Sequence, residues 1–212
     1  MRLFLVRHGQ TEWNVAGRAQ GHTDIPLDAV GVEQARRLGR AFEGASLDRL
    51  LSSDLLRCRQ TVEPVSRATG SAVEESPDLR ERSFGEWEGL DFRDVAERIA
   101  ESALEQGISR QAVRPPGGES FRDVWNRLDR VLTEIHHQDG TMMVATHGGT
   151  ASILLARLVL GSLDTSRSFR FANTAVCELE RRADGLYNLV RYNDASHLSE
   201  HSLTGSLDGV AR

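Results

Sequence analysis

The sequence predicts an α/β fold with a small helical cap, its central strands parallel and covered on both faces, and three observations carry that reading. Leu3 to Val6 is an unbroken apolar run without a turn former, the pattern of a strand buried on both sides. Met142 to Ala145 is a second such run. Between and after them lie segments whose apolar residues recur at helical spacing, so strands alternate with helices.

The two runs end alike, the first in Arg7-His8-Gly9 and the second in Thr146-His147-Gly148-Gly149. In open α/β sheets ligands bind beyond the carboxyl ends of the strands. Both histidines therefore stand where chemistry is done.

The elements follow in order. Gln10 to Leu27 is polar and turn-rich, holding Asn14, Gln20, Gly21 and Pro26, and reads as a functional loop. Asp28 caps a helix with apolar positions Val32, Ala35, Leu38 and Phe42, and Gly44 stands just past its end. Leu47 to Ser53 is a second strand. Ser53 or Asp54 then opens a helix that places Arg57 in its first turns, near the positive end of the macrodipole. Arg59 and Arg67 read as solvated. Ala72 to Glu74 is a short strand, and Pro77 to Gly89 is a loop with three candidate acids, Glu81, Glu86 and Glu88. Asp91 to Gln106 is helical and Arg114-Pro115-Pro116-Gly117-Gly118 breaks it, so about 89–118 forms a cap insertion within a single domain, 1–212. Phe121 to Ile135 is a long amphipathic helix with Trp125 in the core. After the second buried strand comes an apolar helix, Ala151 to Leu160. Asn173 to Glu180 and Leu186 to Tyr192 are closing strands joined at Asp184-Gly185.

Composition excludes several functions. A net charge of -5 argues against a nucleic-acid binder, which shows a basic excess or stripe. No apolar run approaches the roughly 18 residues of a spanning helix, and the N-terminal segment, short and leading straight into charged sequence, does not read as a signal peptide, so a cytoplasmic protein without a membrane partner is expected. Cys58 and Cys177 have no metal-type spacing. All 26 basic residues are arginine, which removes Walker-type hydrolysis and lysine-linked pyridoxal chemistry. Pro64 and Ala183 stand six residues after the two cysteines, where a cysteine phosphatase needs arginine. No DxD pair, GxSxG or HExxH occurs. His197 and His201 are four apart without a third ligand nearby, and no metal is expected.

Two strand-end histidines, two arginines and a loop carboxylate suit phosphoryl transfer through histidine. A neutral His8 ring offers one nitrogen to phosphorus when the other donates to an acceptor. Arg7 and Arg57 grip phosphate oxygens with permanently charged forks. His147, protonated beside a dianion, would add a third donor. A carboxylic acid protonates the leaving alkoxide and then returns as the base that activates water. Enough cationic donors make a metal or other cofactor unnecessary.

The chain resembles the histidine phosphatase superfamily, the phosphoglycerate mutase-like enzymes. The resemblance rests on RHGQTEWN from Arg7, Gln20-Gly21, SSDLLRCRQT around Arg57, LRERSFGEWEG around Glu81, PPGGES at 115–120 and THGG around His147. It implies a mostly parallel central sheet sandwiched by helices, with a helical cap. Residue by residue it makes His8 the nucleophile and Glu81 the proton donor, with Arg7, Arg57 and His147 beside them. Asn14, Gln20, Gly21 and Gly148 match substrate or phosphate-pocket positions. Cofactor-dependent mutases carry a longer, lysine-bearing insertion and an asparagine after the second His-Gly; here the insertion is short, lysine is absent and Gly149 follows Gly148. The resemblance therefore favours a metal-independent phosphatase like the broad-specificity and α-ribazole phosphatase branch, acting on a small phosphorylated metabolite. A phosphoglycerate mutase is the alternative, and a non-catalytic binding module of the same fold comes third. Arg82, Ser83, Phe84 and the stretch 91–114 are expected to line the approach. Neither the substrate nor the oligomeric state can be read, and a homodimer stays open.

Overall fold

The computed structural model describes residues 1–199. Six strands form one sheet in the order β3-β2-β4-β1-β5-β6. Four of them, β1 (Arg2–Arg7), β2 (Arg49–Ser53), β3 (Val73–Ser76) and β4 (Thr141–Thr146), run parallel. The antiparallel pair β5 (Val176–Arg181) and β6 (Tyr187–Asp194) closes one edge. Among the described residues seven α-helices accompany the sheet.

Burial on both faces explains the apolar run of β1. Leu3 and Leu5 join Leu51, Met142 and Val144 in a core under α5 (Phe121–His137) and α6 (Gly148–Leu158). Phe4 and Val6 point the other way, to Leu38, Phe42 and Val62 of the helical layer formed by α2 (Ala29–Ala41) and α3 (Leu56–Thr69). Alternate side chains of one strand thus serve two cores. This is the mostly parallel, helix-sandwiched sheet that the sequence predicts.

The stretch 89–118 carries α4 (Phe92–Gln106), whose Val95 and Ala103 build a separate small core with Ala19, Phe84, Trp87 and Val113. Ala19 and Leu90 join the two segments through the Ala19 N–H and the Leu90 carbonyl at 2.9 Å. Short α1 (Glu12–Val15) interrupts the expected loop, capped by Thr11. Short α7 is Leu163–Ser166.

Several local expectations need correction. Val32 is 54% exposed, whereas Gly31, Ala35, Leu38 and Gly39 form the buried face of α2. Glycine, not valine, makes the close approach: a Cβ on Gly39 would lie 2.7 Å from the Pro64 Cβ. α3 begins at Leu56 and neither Ser53 nor Asp54 caps it; the Leu56 N–H donates at 2.7 Å to Oδ1 of Asp24, a residue far back in the chain. Trp125 is only partly buried, packed against the core with Arg157 over its ring at 4.9 Å. His197 accepts or donates at Thr174 Oγ1, 3.1 Å away, and His201 lies outside the described residues.

Candidate active site

Parallel pairing of Arg7 with Thr146 brings the ends of β1 and β4 together. The rings of His8 and His147 consequently lie 5.1 Å apart, both fully enclosed. They share a cavity of about 680 Å3 with Arg7, Arg57, Glu81 and Gly148. Asn14, Gln20 and Gly21 line the same cavity. The nine residues Arg7, His8, Asn14, Gln20, Gly21, Arg57, Glu81, His147 and Gly148 thus line one cavity.

His8 Nδ1 lies 2.7 Å from the Gly9 carbonyl. A carbonyl only accepts, so Nδ1 carries the proton and Nε2 keeps its lone pair. Burial, with Arg57 and Arg7 nearby, holds the His8 pKa well below the usual histidine value. The ring is neutral at ordinary pH. Gly9 itself is fixed by its N–H to Thr61 Oγ1 at 2.9 Å.

Arg57 is completely buried. Its Nη1 donates to the Thr23 carbonyl at 2.9 Å and its Nη2 to the Gly21 carbonyl at 2.8 Å. Nε donates to His147 Nδ1 at 3.1 Å. Arg7 donates from Nη1 to the Phe171 carbonyl at 2.6 Å, and its buried Nε has no partner. Burial lowers the pKa of both guanidinium groups from an already high value. Each is held in place by neutral acceptors, so its positive charge stays available to an anion.

His147 is expected to carry a proton only beside a phosphate dianion. Burial and Arg57 push its pKa well below the usual histidine value, and Nδ1 accepts from Arg57. The proton of the neutral ring therefore sits on Nε2, 2.9 Å from Ser53 Oγ. Protonating the ring would place a second buried cation beside Arg57, which an anion held in the cavity would compensate.

Among the three acids, only Glu81 reaches the cavity. Oε2 accepts from the Gly149 N–H at 2.9 Å, and Oε1 from the Arg82 and Thr150 N–H groups at 2.9 and 3.1 Å. The carboxylate occupies the seat that a helix N-terminus offers, here that of α6. Glu86 is exposed. Glu88 faces the loop 21–23, where its oxygens accept from the His22 and Thr23 N–H groups, each at 2.9 Å.

Other details fit a phosphate pocket. The Gln20 side chain is buried with Oε1 unpartnered. Gly21 has φ of +53°, and a Cβ there would strike Glu88. A Cβ on Gly148 would lie only 3.4 Å from Arg7 Nε. Asn14 Oδ1 accepts from the Thr11 N–H at 3.1 Å and faces Asn173 Nδ2 at 3.3 Å. Cys58 lies beside His147, but burial raises its thiol to about 12, which removes it as a thiolate nucleophile. No cluster of three metal-binding side chains occurs among the described residues. No helix among them is long and apolar enough to cross a membrane.

Sequence reasoning passed over Ser53, Thr61, Thr150 and Asn173. Each acts through a residue that it had named, and a lone hydroxyl or amide carries no spacing signal. Arg59 and Arg67 are exposed surface arginines paired with Glu75 and Glu63, as expected.

A neutral strand-end imidazole flanked by buried Arg57 and half-buried Arg7 defines an α/β protein with a histidine-arginine anion pocket. The chain belongs to the histidine phosphatase superfamily (branch 1), whose family model matches residues 3–195. It is 36% identical over 163 residues to the adenosylcobalamin/alpha-ribazole phosphatase of Escherichia coli K12, covering 75% of this chain and 79% of that one. It is 32% identical to the metal-independent phosphoserine phosphatase of Arabidopsis thaliana, covering 99% and 89%. Among solved structures, the alpha-ribazole phosphatase of Shigella flexneri superposes with a TM-score of 0.80 at 32% identity, covering 92% of this chain and 97% of that one.

Proposed function

We propose that the protein is a metal-independent phosphatase that hydrolyses small phosphomonoesters through a phosphohistidine on His8, with Glu81 as proton donor. The observation that carries this reading is the His8 ring: neutral, with Nδ1 tied to the Gly9 carbonyl and Nε2 left as the nucleophile between Arg7 and Arg57.

In the first half-reaction the Nε2 lone pair forms a bond to phosphorus while the ester P–O bond breaks. The leaving alkoxide takes the proton of the Glu81 carboxylic acid and departs as the alcohol. In the second, the Glu81 carboxylate takes a proton from water as its oxygen bonds to phosphorus. The P–N bond breaks, its electron pair returns to Nε2, and orthophosphate leaves. Arg7 and Arg57 hold the equatorial oxygens throughout, the electrostatic work that dominates such transfers. His147 lines the pocket as a neutral ring that orients Arg57.

The test is a metal-free assay of a phosphomonoester panel with the native chain and His8→Ala. Hydrolysis by the native chain, loss of activity in the variant and indifference to chelator are expected. Full activity in His8→Ala would end the phosphohistidine mechanism, and abolition by chelator would point to a metal enzyme. With 3-phosphoglycerate and catalytic 2,3-bisphosphoglycerate, free phosphate should exceed 2-phosphoglycerate; the reverse outcome would favour a mutase. A native chain that binds phosphate but turns over nothing on the panel would favour the binding-module reading.

A further inference from the structure

Asn14 lines the cavity, and the end of its amide that faces a phosphate is decided by groups outside it. Its Oδ1 accepts from the Thr11 N–H and the Thr11 hydroxyl, each at 3.1 Å. A backbone N–H only donates, so the atom facing Thr11 is the oxygen, and Nδ2 is the end left to donate into the cavity. An amide turned the other way would set an oxygen against phosphate oxygens.

Asn173 completes this arrangement from behind the cavity wall. It is half-buried and does not line the cavity. Its Nδ2 donates to the His8 carbonyl at 3.0 Å and to Asn14 Oδ1 at 3.3 Å. The His8 carbonyl only accepts, which fixes the orientation of the Asn173 amide as well. The two protons of one amide group thus tie the strand end that carries the nucleophile to the side chain that faces the phosphate.

The turn that presents Asn173 is held against its own backbone preference. The Ala175 N–H closes it on the Ala172 carbonyl at 3.1 Å, and Thr174 takes a φ of +55°. Glycine or asparagine ordinarily fills that left-handed region, which β-branched residues avoid. Thr174 is fully buried, and its N–H donates to the Arg7 and His8 carbonyls at 3.0 and 3.3 Å. Its hydroxyl supplies what glycine lacks. Oγ1 donates to the Asn173 carbonyl at 2.8 Å, so it accepts from His197 Nε2 at 3.1 Å. Strain of this kind persists where the surroundings over-determine it, and it gathers at functional sites.

We infer that Asn173 is a positioning residue for the phosphoryl transfer: it sets the His8 strand end and the Asn14 amide around one phosphate group, and Thr174 and His197 hold it in place. The inference rests on the phosphatase reading above for its effect on turnover, while its effect on phosphate binding can be read without turnover.

The experiment measures the dissociation constant of inorganic phosphate by calorimetry, with kcat and KM alongside. Asn173→Ala should weaken phosphate binding about tenfold, the scale of one hydrogen bond to a charged group. In an Asn14→Ala background the same change should cost at most about threefold, because the amide that Asn173 orients is gone. A residue that only supports the fold would give one factor in both backgrounds. Thr174→Ser keeps the hydroxyl and should bind phosphate as the native chain does. Thr174→Gly suits the backbone but lacks the hydroxyl, and should bind several-fold more weakly. Native phosphate affinity in Asn173→Ala, or equal factors in the two backgrounds, overturns the inference; native affinity in Thr174→Gly overturns the part given to the hydroxyl. Should Asn173→Ala fail to fold, Asn173→Asp keeps the shape without the donor and is read in the same way. A native chain that binds phosphate but hydrolyses no ester would defeat the phosphatase reading and leave this test standing.

Discussion

Arg57 donates from Nε to Nδ1 of His147 at 3.1 Å, and this one bond sets the tautomer of the second histidine. Arginine has no acceptor, so the His147 proton must sit on Nε2, facing Ser53 Oγ at 2.9 Å. Ser53 at the end of β2 thereby orients a ring at the end of β4, which in turn orients the Arg57 fork. Ser53→Ala removes the oxygen acceptor and leaves the buried N–H only the weak acceptor Cys58 Sγ at 3.5 Å, a cost of about 1–3 kcal/mol. The affinity for inorganic phosphate, read as its inhibition constant, should weaken several-fold in a folded variant. An unchanged constant would show that His147 does not depend on Ser53.

The two buried histidines also make stability depend on pH. Both have folded-state pKa values well below the usual one, chiefly through burial. Below about pH 6.5 the unfolded chain binds protons that the folded chain refuses, so stability is full above that value and falls as the pH drops below it. Each histidine contributes a slope of about 1.4 kcal/mol per pH unit in this window. Urea unfolding of the native chain and His8→Asn between pH 7 and 5 should show a shallower loss in the variant, by about one histidine's slope. Equal slopes would mean that His8 titrates normally in the fold.

Glu88 provides a test of how the Arg57 clamp is held. Its carboxylate accepts from the His22 and Thr23 N–H groups at 2.9 Å and from the Phe84 N–H at 3.2 Å. Burial opposes the charge, but hydrogen bonds from the Thr23 hydroxyl and these amides outweigh it and hold the pKa below the usual glutamate value. The loop so fixed presents the Gly21 and Thr23 carbonyls that grip Arg57. Glu88→Gln turns one acceptor into a donor facing an N–H. We expect kcat/KM to fall about tenfold, with phosphate inhibition weakening in parallel. Loss of kcat alone, without weaker phosphate binding, would assign Glu88 a different role.

The parts of this architecture that depend on apolar runs were legible in the sequence. Leu3–Val6 and Met142–Ala145 announced the central strands because burial on both faces leaves no alternation to misread. The packing of α2 was not legible. Its contact with α3 is made where Gly39 meets Pro64, and its contact with the loop after β1 where Gly31 lies against the Gln10 backbone; a count of apolar residues gives such contacts no weight. The start of α3 was hidden for a related reason, since its cap, Asp24, arrives through tertiary structure. At the site, His8, His147, Arg7 and Arg57 were visible as strand-end or helix-start punctuation. The choice among Glu81, Glu86 and Glu88 needed the family resemblance, because three acids within one loop differ only in which way they face.

Gly149 tests the Glu81 seat most directly. A Cβ on it would lie 2.7 Å from Glu81 Oε1 and 3.4 Å from Oε2, closer than a carboxylate can stay. The carboxylate remains on the Gly149 and Thr150 amides only because residue 149 has no side chain. Gly149→Ala should displace Glu81 and leave Arg7, His8 and Arg57 in place. The loss should therefore fall on proton transfer: kcat reduced about 100-fold, the scale of a misplaced general acid, with the inhibition constant of inorganic phosphate unchanged. Esters with good leaving groups, which need less protonation, should lose less activity than alkyl esters. Equal losses for both kinds of ester, or weaker phosphate binding, would show that Gly149 supports the pocket as a whole and not the acid alone.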